Sequence, residues 1–142
     1  MSDVFSPSKR SRIMASIRGK DTKQELLVRR YLFRQGLRFR VNDAHLPGRP
    51  DIVLPKYHCV IFLNGCFWHA HENCPLFRLP QSNREFWEKK IQRNKMRDER
   101  DIAKLLSMGY KTIVVWECEL KTKHLREETL TGLLNEIWDM DN

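Results

Sequence analysis

The chain has 142 residues, the size of one ordinary domain, and at 41% hydrophobic and 10% aromatic it can bury a core. That excludes collagen-like, mucin-like and disordered chains, and no apolar run reaches the ~18–20 residues of a membrane helix. The net charge of +8 falls wholly in residues 1–50, residues 51–142 summing to zero, and so one-sided a cationic excess points to a polyanion whose phosphates Lys and Arg can neutralise.

Residues 1–20 form a polar, basic arm with no apolar stretch of a secretory signal, so the chain is expected to be cytoplasmic. Ser8 to Ile17 can form a short basic helix. Thr22-Lys23-Gln24-Glu25 spells a capping box, opening a helix from about Lys23 to Gln35 with Leu26, Leu27, Tyr31 and Leu32 as its apolar face and Gly36 as its stop. Arg38 to Asn42 alternates like a half-exposed strand, and His45 to Pro50 is a loop. Asp51 to Leu54 starts a strand, Pro55-Lys56 turns it, and Tyr57 to Leu63 is a buried strand. Cys66 to Pro80 has no period. Ser82-Asn83-Arg84-Glu85 spells a second capping box for a long helix from about Asn83 to Ser107, ended by Gly109. Tyr110 to Trp116 is a further strand, and Leu125 to Trp138 a last helix with Leu130, Leu133, Leu134 and Ile137 on one stripe. No repeat or linker divides the chain. The order predicts a single α/β domain, a mixed central sheet flanked by helices.

Cys66, His71 and Cys74 fall within nine residues of the irregular stretch, and Cys118 follows the last strand. Thiolates and imidazole in that pattern suit a structural, tetrahedral zinc that staples the stretch to the sheet. The bland alternative is four ordinary cysteines and two surface histidines. Spacing alone does not choose between His69 and His71 as the ligand. Cys59, in mid-strand, is expected to pack in the core.

Asp51, at a strand start beside a loop, can hold a hard divalent cation such as magnesium, with Glu25 as a second acid. With a histidine these suffice for phosphodiester hydrolysis. On residues alone, Glu25 is better explained as a capping-box member, while Asp51 could cap a turn and His69 could be a zinc ligand or a surface residue. Phe67, Trp68 and Trp87 are rings in polar surroundings that can stack on bases or wedge between them, or pack beneath the metal loop. Gln92 to Asp101 has Met96 as its one apolar residue and reads as a solvated face, though Asn94 within it and Lys90 just before it could equally reach base edges.

Leu46-Pro47-Gly48-Arg49-Pro50-Asp51, Val60-Ile61-Phe62, Gly65-Cys66-Phe67-Trp68-His69, Phe86-Trp87 and Val114-Val115-Trp116-Glu117-Cys118 together resemble the very-short-patch repair (Vsr) DNA mismatch endonucleases. The resemblance implies a restriction-endonuclease-like fold and magnesium-dependent nicking of one strand of double-stranded DNA. The cut lies 5′ to the thymine of a T:G mismatch left by 5-methylcytosine deamination, in a CT(A/T)GG-like context. It implies Asp51 and the Leu63 backbone carbonyl at magnesium, Glu25 holding metal-bound water and His69 moving a proton. It further implies Cys66, His71, Cys74 and Cys118 at zinc, and Phe67, Trp68 and Trp87 wedged beside the mismatch. Lys90 and Asn94 would lie at the mismatched pair, the basic arm would clasp DNA, and the chain would act as a monomer. Leu63-Asn64 departs from the family's Thr-His, exchanging a titrating ring for an amide. Two other readings stand beside this one: a related nuclease of a restriction–modification system with another site preference, and a zinc-stapled DNA-binding module that does not cut. Mismatch-repair proteins as partners are left open.

Overall fold

The computed structural model describes residues 22–139. The basic arm and the helix expected at Ser8 to Ile17 lie outside that range.

The described chain forms α1 (Lys23–Arg34), β1 (Arg40–Val41), β2 (Ile52–Leu54), a 3-10 turn (Pro55–Tyr57) and β3 (Cys59–Asn64). Then follow α2 (Arg84–Ser107), β4 (Lys111–Trp116), a second 3-10 turn (Glu117–Leu120) and α3 (Lys123–Trp138). One sheet runs in the order β1-β2-β3-β4. β1, β2 and β3 pair antiparallel, while β3 and β4 pair parallel from Cys59↔Lys111 to Asn64↔Trp116. This is the mixed α/β sheet that the sequence predicts. Parallel neighbours need a long crossover, and here it carries both the Cys/His stretch and α2.

Side chains alternate across the sheet. Ile52, Leu54, Cys59, Ile61, Ile113 and Val115 face a large core closed by α1 and α3. Val53 and Val60 face Leu105 of α2, with Leu46, Phe62 and Tyr110 packed alongside. All of β2 is buried because both faces are covered. Cys59 is fully buried, as a core residue should be.

Four expectations change. The buried stripe of α1 is centred on Val28 and Leu32, with Leu27 and Tyr31 beside them, rather than on Leu26 and Leu27. Glu25 shares that stripe, at i−3 and i−7 from Val28 and Leu32, so the helix turns this carboxylate inward. The strand expected over Arg38 to Asn42 is two exposed residues long. α2 begins without its capping box: Asn83 takes a left-handed conformation (φ 55°) and its side chain caps nothing, since the chain must swing sharply out of the preceding loop. α3 starts two residues early, where Thr122 accepts the Leu125 N–H at 3.2 Å and forms a true N-cap. The N-cap of α1 is as expected, Thr22 accepting the Glu25 N–H at 3.2 Å.

Candidate active site

A cleft of about 940 Å³ opens where the N-terminus of α1, the loop before β2, the end of β3 and the middle of α2 meet. Glu25, Asp51, Leu63, Phe67, Trp68, His69, Lys90 and Asn94 all line it.

Asp51 precedes β2 by one residue, and its Oδ2 accepts the Leu63 N–H at 2.7 Å across the β2–β3 pair. Burial, and then the nearby Glu25 charge, push the Asp51 carboxyl up to about 6, against the pull of the Leu63 hydrogen bond. Glu25 is itself buried, and its Oε2 accepts from Arg29 Nη2 at 2.9 Å. Two carboxylates sharing one partly dehydrated corner offer the hard oxygen donors that a divalent cation such as magnesium takes.

His69 lies in the first turn after β3, five residues past Asn64. Its Nδ1 bonds Asp98 Oδ2 of α2 at 2.5 Å. Asp98 stands in a run read as a solvated face, yet it faces His69, and Asp101 three residues on is buried. The run is therefore split, one side wet and one side turned to the site. No local signal marks Asp98, because its partner lies 29 positions away. With Nδ1–H donated to the carboxylate, Nε2 keeps its lone pair and can accept a proton.

The stretch after β3 is held by turns: His69 N–H to Gly65 O, His71 N–H to Cys66 O, and Phe77 N–H to Cys74 O. Ala70 and Asn73 take left-handed conformations on either side of His71. The ligand atoms of Cys66, His71, Cys74 and Cys118 thereby lie within 4.8 Å of one another. Thiolates around tetrahedral zinc sit about 3.8 Å apart, so the cluster is consistent with a structural zinc site. His71 Nδ1 lies 3.5 Å from Cys118 Sγ, and the Trp116 ring stacks on the imidazole at 4.0 Å and 6°. The choice the spacing left open thus falls on His71, with His69 turned to Asp98. Burial pushes the Cys66 thiol up to about 12, and a cation is what would make it a thiolate. Glu117, which sequence reasoning passed over, accepts the Cys66 N–H at 2.8 Å and also lines the cleft.

Phe67, Trp68 and Trp87 form one half-buried aromatic wall, their centroids 5.1–6.0 Å apart with tilted or edge-on geometry. Phe86, 54% exposed, packs edge-on against Trp87. The Asn94 side chain donates to the Trp68 carbonyl at 3.2 Å, tying α2 to this wall. Lys90, one turn earlier, is half-buried at the cleft. Asn64, at the end of β3, is buried.

The family model described as DNA mismatch endonuclease Vsr matches residues 2–75. The chain belongs to the Vsr DNA mismatch endonuclease family. It is 50% identical over 139 residues to the Type II nicking enzyme V.NmeAIP of Neisseria meningitidis serogroup A / serotype 4A, covering 98% of this chain and 99% of that protein. It is 47% identical to the DNA mismatch endonuclease Vsr of Escherichia coli K12, over 96% of this chain and 87% of that one. The Type II nicking enzyme V.XorIIP of Xanthomonas oryzae pv. oryzae is 42% identical, over 95% and 98%. Vsr-family membership makes this chain a nuclease that acts on DNA. Among the described residues no helix is long and apolar enough to cross a membrane.

Proposed function

We propose that this Vsr-family chain is a magnesium-dependent endonuclease that nicks one DNA strand 5′ to the thymine of a T:G mismatch. Its preferred context is its own, set by a companion restriction–modification system, rather than CT(A/T)GG by default. The relative named Type II nicking enzyme V.NmeAIP matches the chain as closely as the Escherichia coli mismatch endonuclease does, at 50% against 47% identity, which favours the wider site preference. The observation that carries the chemistry is the meeting of Glu25, Asp51 and His69 in one cleft beside an aromatic wall, with Asp98 bonded to His69 from the neighbouring cavity.

Asp51, with the Leu63 carbonyl, would hold magnesium, and Glu25 would orient its water. Bound there, the ion supplies charge neutralisation at the scissile phosphate and a water of lowered pKa. His69 takes a proton at Nε2 from the attacking water, while Asp98 fixes the ring and offsets the imidazolium charge. Phe67, Trp68 and Trp87 present rings to the bases beside the mismatch, and Lys90 and Asn94 present donors to the mismatched pair. Cys66, His71, Cys74 and Cys118 hold zinc and keep that wall in place. One domain and one copy of the chain suffice for this reaction.

The test is a nicking assay on labelled duplexes. These carry a single T:G pair in CTAGG and in a panel of other methylase contexts, against T:A and C:G controls, with magnesium or with EDTA. The expected result is a nick in the T strand only, dependent on magnesium, lost in Asp51→Ala and reduced about 10²–10⁴-fold in Asp98→Asn. Binding of the mismatch with no cut in any context would make the chain a reader that does not cut. Equal treatment of matched and mismatched duplexes would remove the repair reading.

A further inference from the structure

Arg49 is an unusual residue to find between Gly48 and Pro50. Its backbone is left-handed (φ 48°), a conformation that costs a side-chain-bearing residue about 1 kcal/mol or more. Gly48 before it is also left-handed (φ 74°) and presses so closely on the fold that a Cβ there would meet Asp101 Cβ at 3.1 Å and the Phe62 ring at 3.2 Å. Pro50 after it is fully buried. The loop is therefore clamped on both sides of Arg49, while the Arg49 side chain itself is exposed.

That side chain lines the cleft, and it also lines a neighbouring cavity of about 420 Å³ that shares the His69 wall. Among the described residues, no hydrogen bond or ion pair engages its guanidinium. The lining of the main cleft includes the carboxylates Glu25, Asp51 and Glu117, which repel an incoming phosphate. The cations set against them are Lys90 and Arg97 from α2 and Arg49 from the loop that carries Asp51. Arg97 already donates to Asn94 Oδ1 at 3.3 Å. Arg49 is the one lining cation that shares a rigid turn with Asp51, two residues away.

We propose that Arg49 grips a non-bridging oxygen of the cut strand, at the scissile phosphate or the one beside it. A guanidinium presents a planar fork that matches phosphate oxygens. Its fixed offset from Asp51 sets the register of the backbone over the carboxylates, and the strained turn exists to hold it there. This inference rests on the nicking reading, and binding measurements separate the two.

The experiment uses the full chain, a T:G duplex and equilibrium binding over a range of salt, followed by nicking with magnesium. Arg49→Ala should weaken binding about tenfold at low salt and lower the slope of log K against log salt by about 0.9, the mark of one lost phosphate contact. Arg49→Lys should keep the slope and recover part of the rate. Arg49→Gly should bind as poorly as Arg49→Ala yet melt no lower than the wild type, since glycine accepts the left-handed backbone without strain. A methylphosphonate placed in turn at the scissile phosphate and at its two neighbours should weaken wild-type binding at one position where Arg49→Ala loses nothing further. An unchanged salt slope, or a marked fall in the melting temperature of Arg49→Gly, would overturn the proposal and leave Arg49 as a loop brace. Wild-type binding with no nick would sink the nicking reading while the slope still decides the role of Arg49.

Discussion

Asp51 shows how one residue serves the site at the expense of the fold. Its carboxyl is raised from 3.8 to about 6, so between those values the folded chain holds a proton that the unfolded chain has released. Stability contributed at this position is therefore present at low pH and is lost as pH rises through about 6. Asp51→Asn keeps an oxygen for the Leu63 N–H and removes the buried charge. It should abolish nicking yet stabilise the metal-free chain by about 1–2 kcal/mol at pH 7.5, and by about half as much at pH 5. Thermal melts at the two pH values check this, and added magnesium should raise the wild-type midpoint at pH 7.5 more than at pH 5. Residue type and position singled out Asp51 as a candidate, while for Glu25 and His69 they left a cap and a zinc ligand open and the family resemblance supplied the roles. The inward turn of Glu25 was not legible in the sequence, because it depends on a helical stripe centred one residue away from where the leucines suggest. Asp98 was hidden among the charged neighbours of a polar helix.

At the scale of elements, the loop before β2 is a wedge. Gly48 lets it lie against Phe62 of β3 and Asp101 of α2, and so it fixes where Asp51 enters the sheet. Gly48→Ala imposes both a left-handed strain and an overlap with a ring and a helix. It should cost about 1–3 kcal/mol, lower the nicking rate and, by shifting Arg49, weaken DNA binding by no more than Arg49→Ala does, measured by denaturant unfolding, single-turnover kinetics and equilibrium binding. Helices α1 and α3 follow local rules, apolar spacing and a threonine cap, and the sequence shows them nearly to the residue. β1 and the start of α2 follow tertiary demands instead. The edge strand pairs only with Val53 and Ile52, and Asn83 enters α2 left-handed with no side-chain cap.

For the whole molecule, the Cys/His cluster ties together segments on both sides of the crossover. Cys66, His71 and Cys74 precede α2, and Cys118 follows β4. Zinc bound there would lock the aromatic wall, the end of β4 and, through Glu117, the floor of the cleft. Removing it with a strong chelator should lower the thermal midpoint and abolish mismatch binding, with both recovered on adding back zinc. Because burial holds the Cys66 thiol protonated, uptake of zinc should release protons, readable with a pH indicator in weak buffer.

The parallel pairing of β3 with β4 sets an order of events in folding. Cys59 meets Lys111 only after a loop of about fifty residues has closed, an entropic cost of about 3–4 kcal/mol before the ladder returns anything. The antiparallel β1-β2-β3 unit, which carries Asp51 and Leu63, is local and needs no such closure. His69 and Asp98 face each other, and Cys118 reaches its partners, only within the closed crossover. A chain that folds in this order brings Asp51 and Leu63 together early and joins His69 to Asp98, and Cys118 to its partners, last.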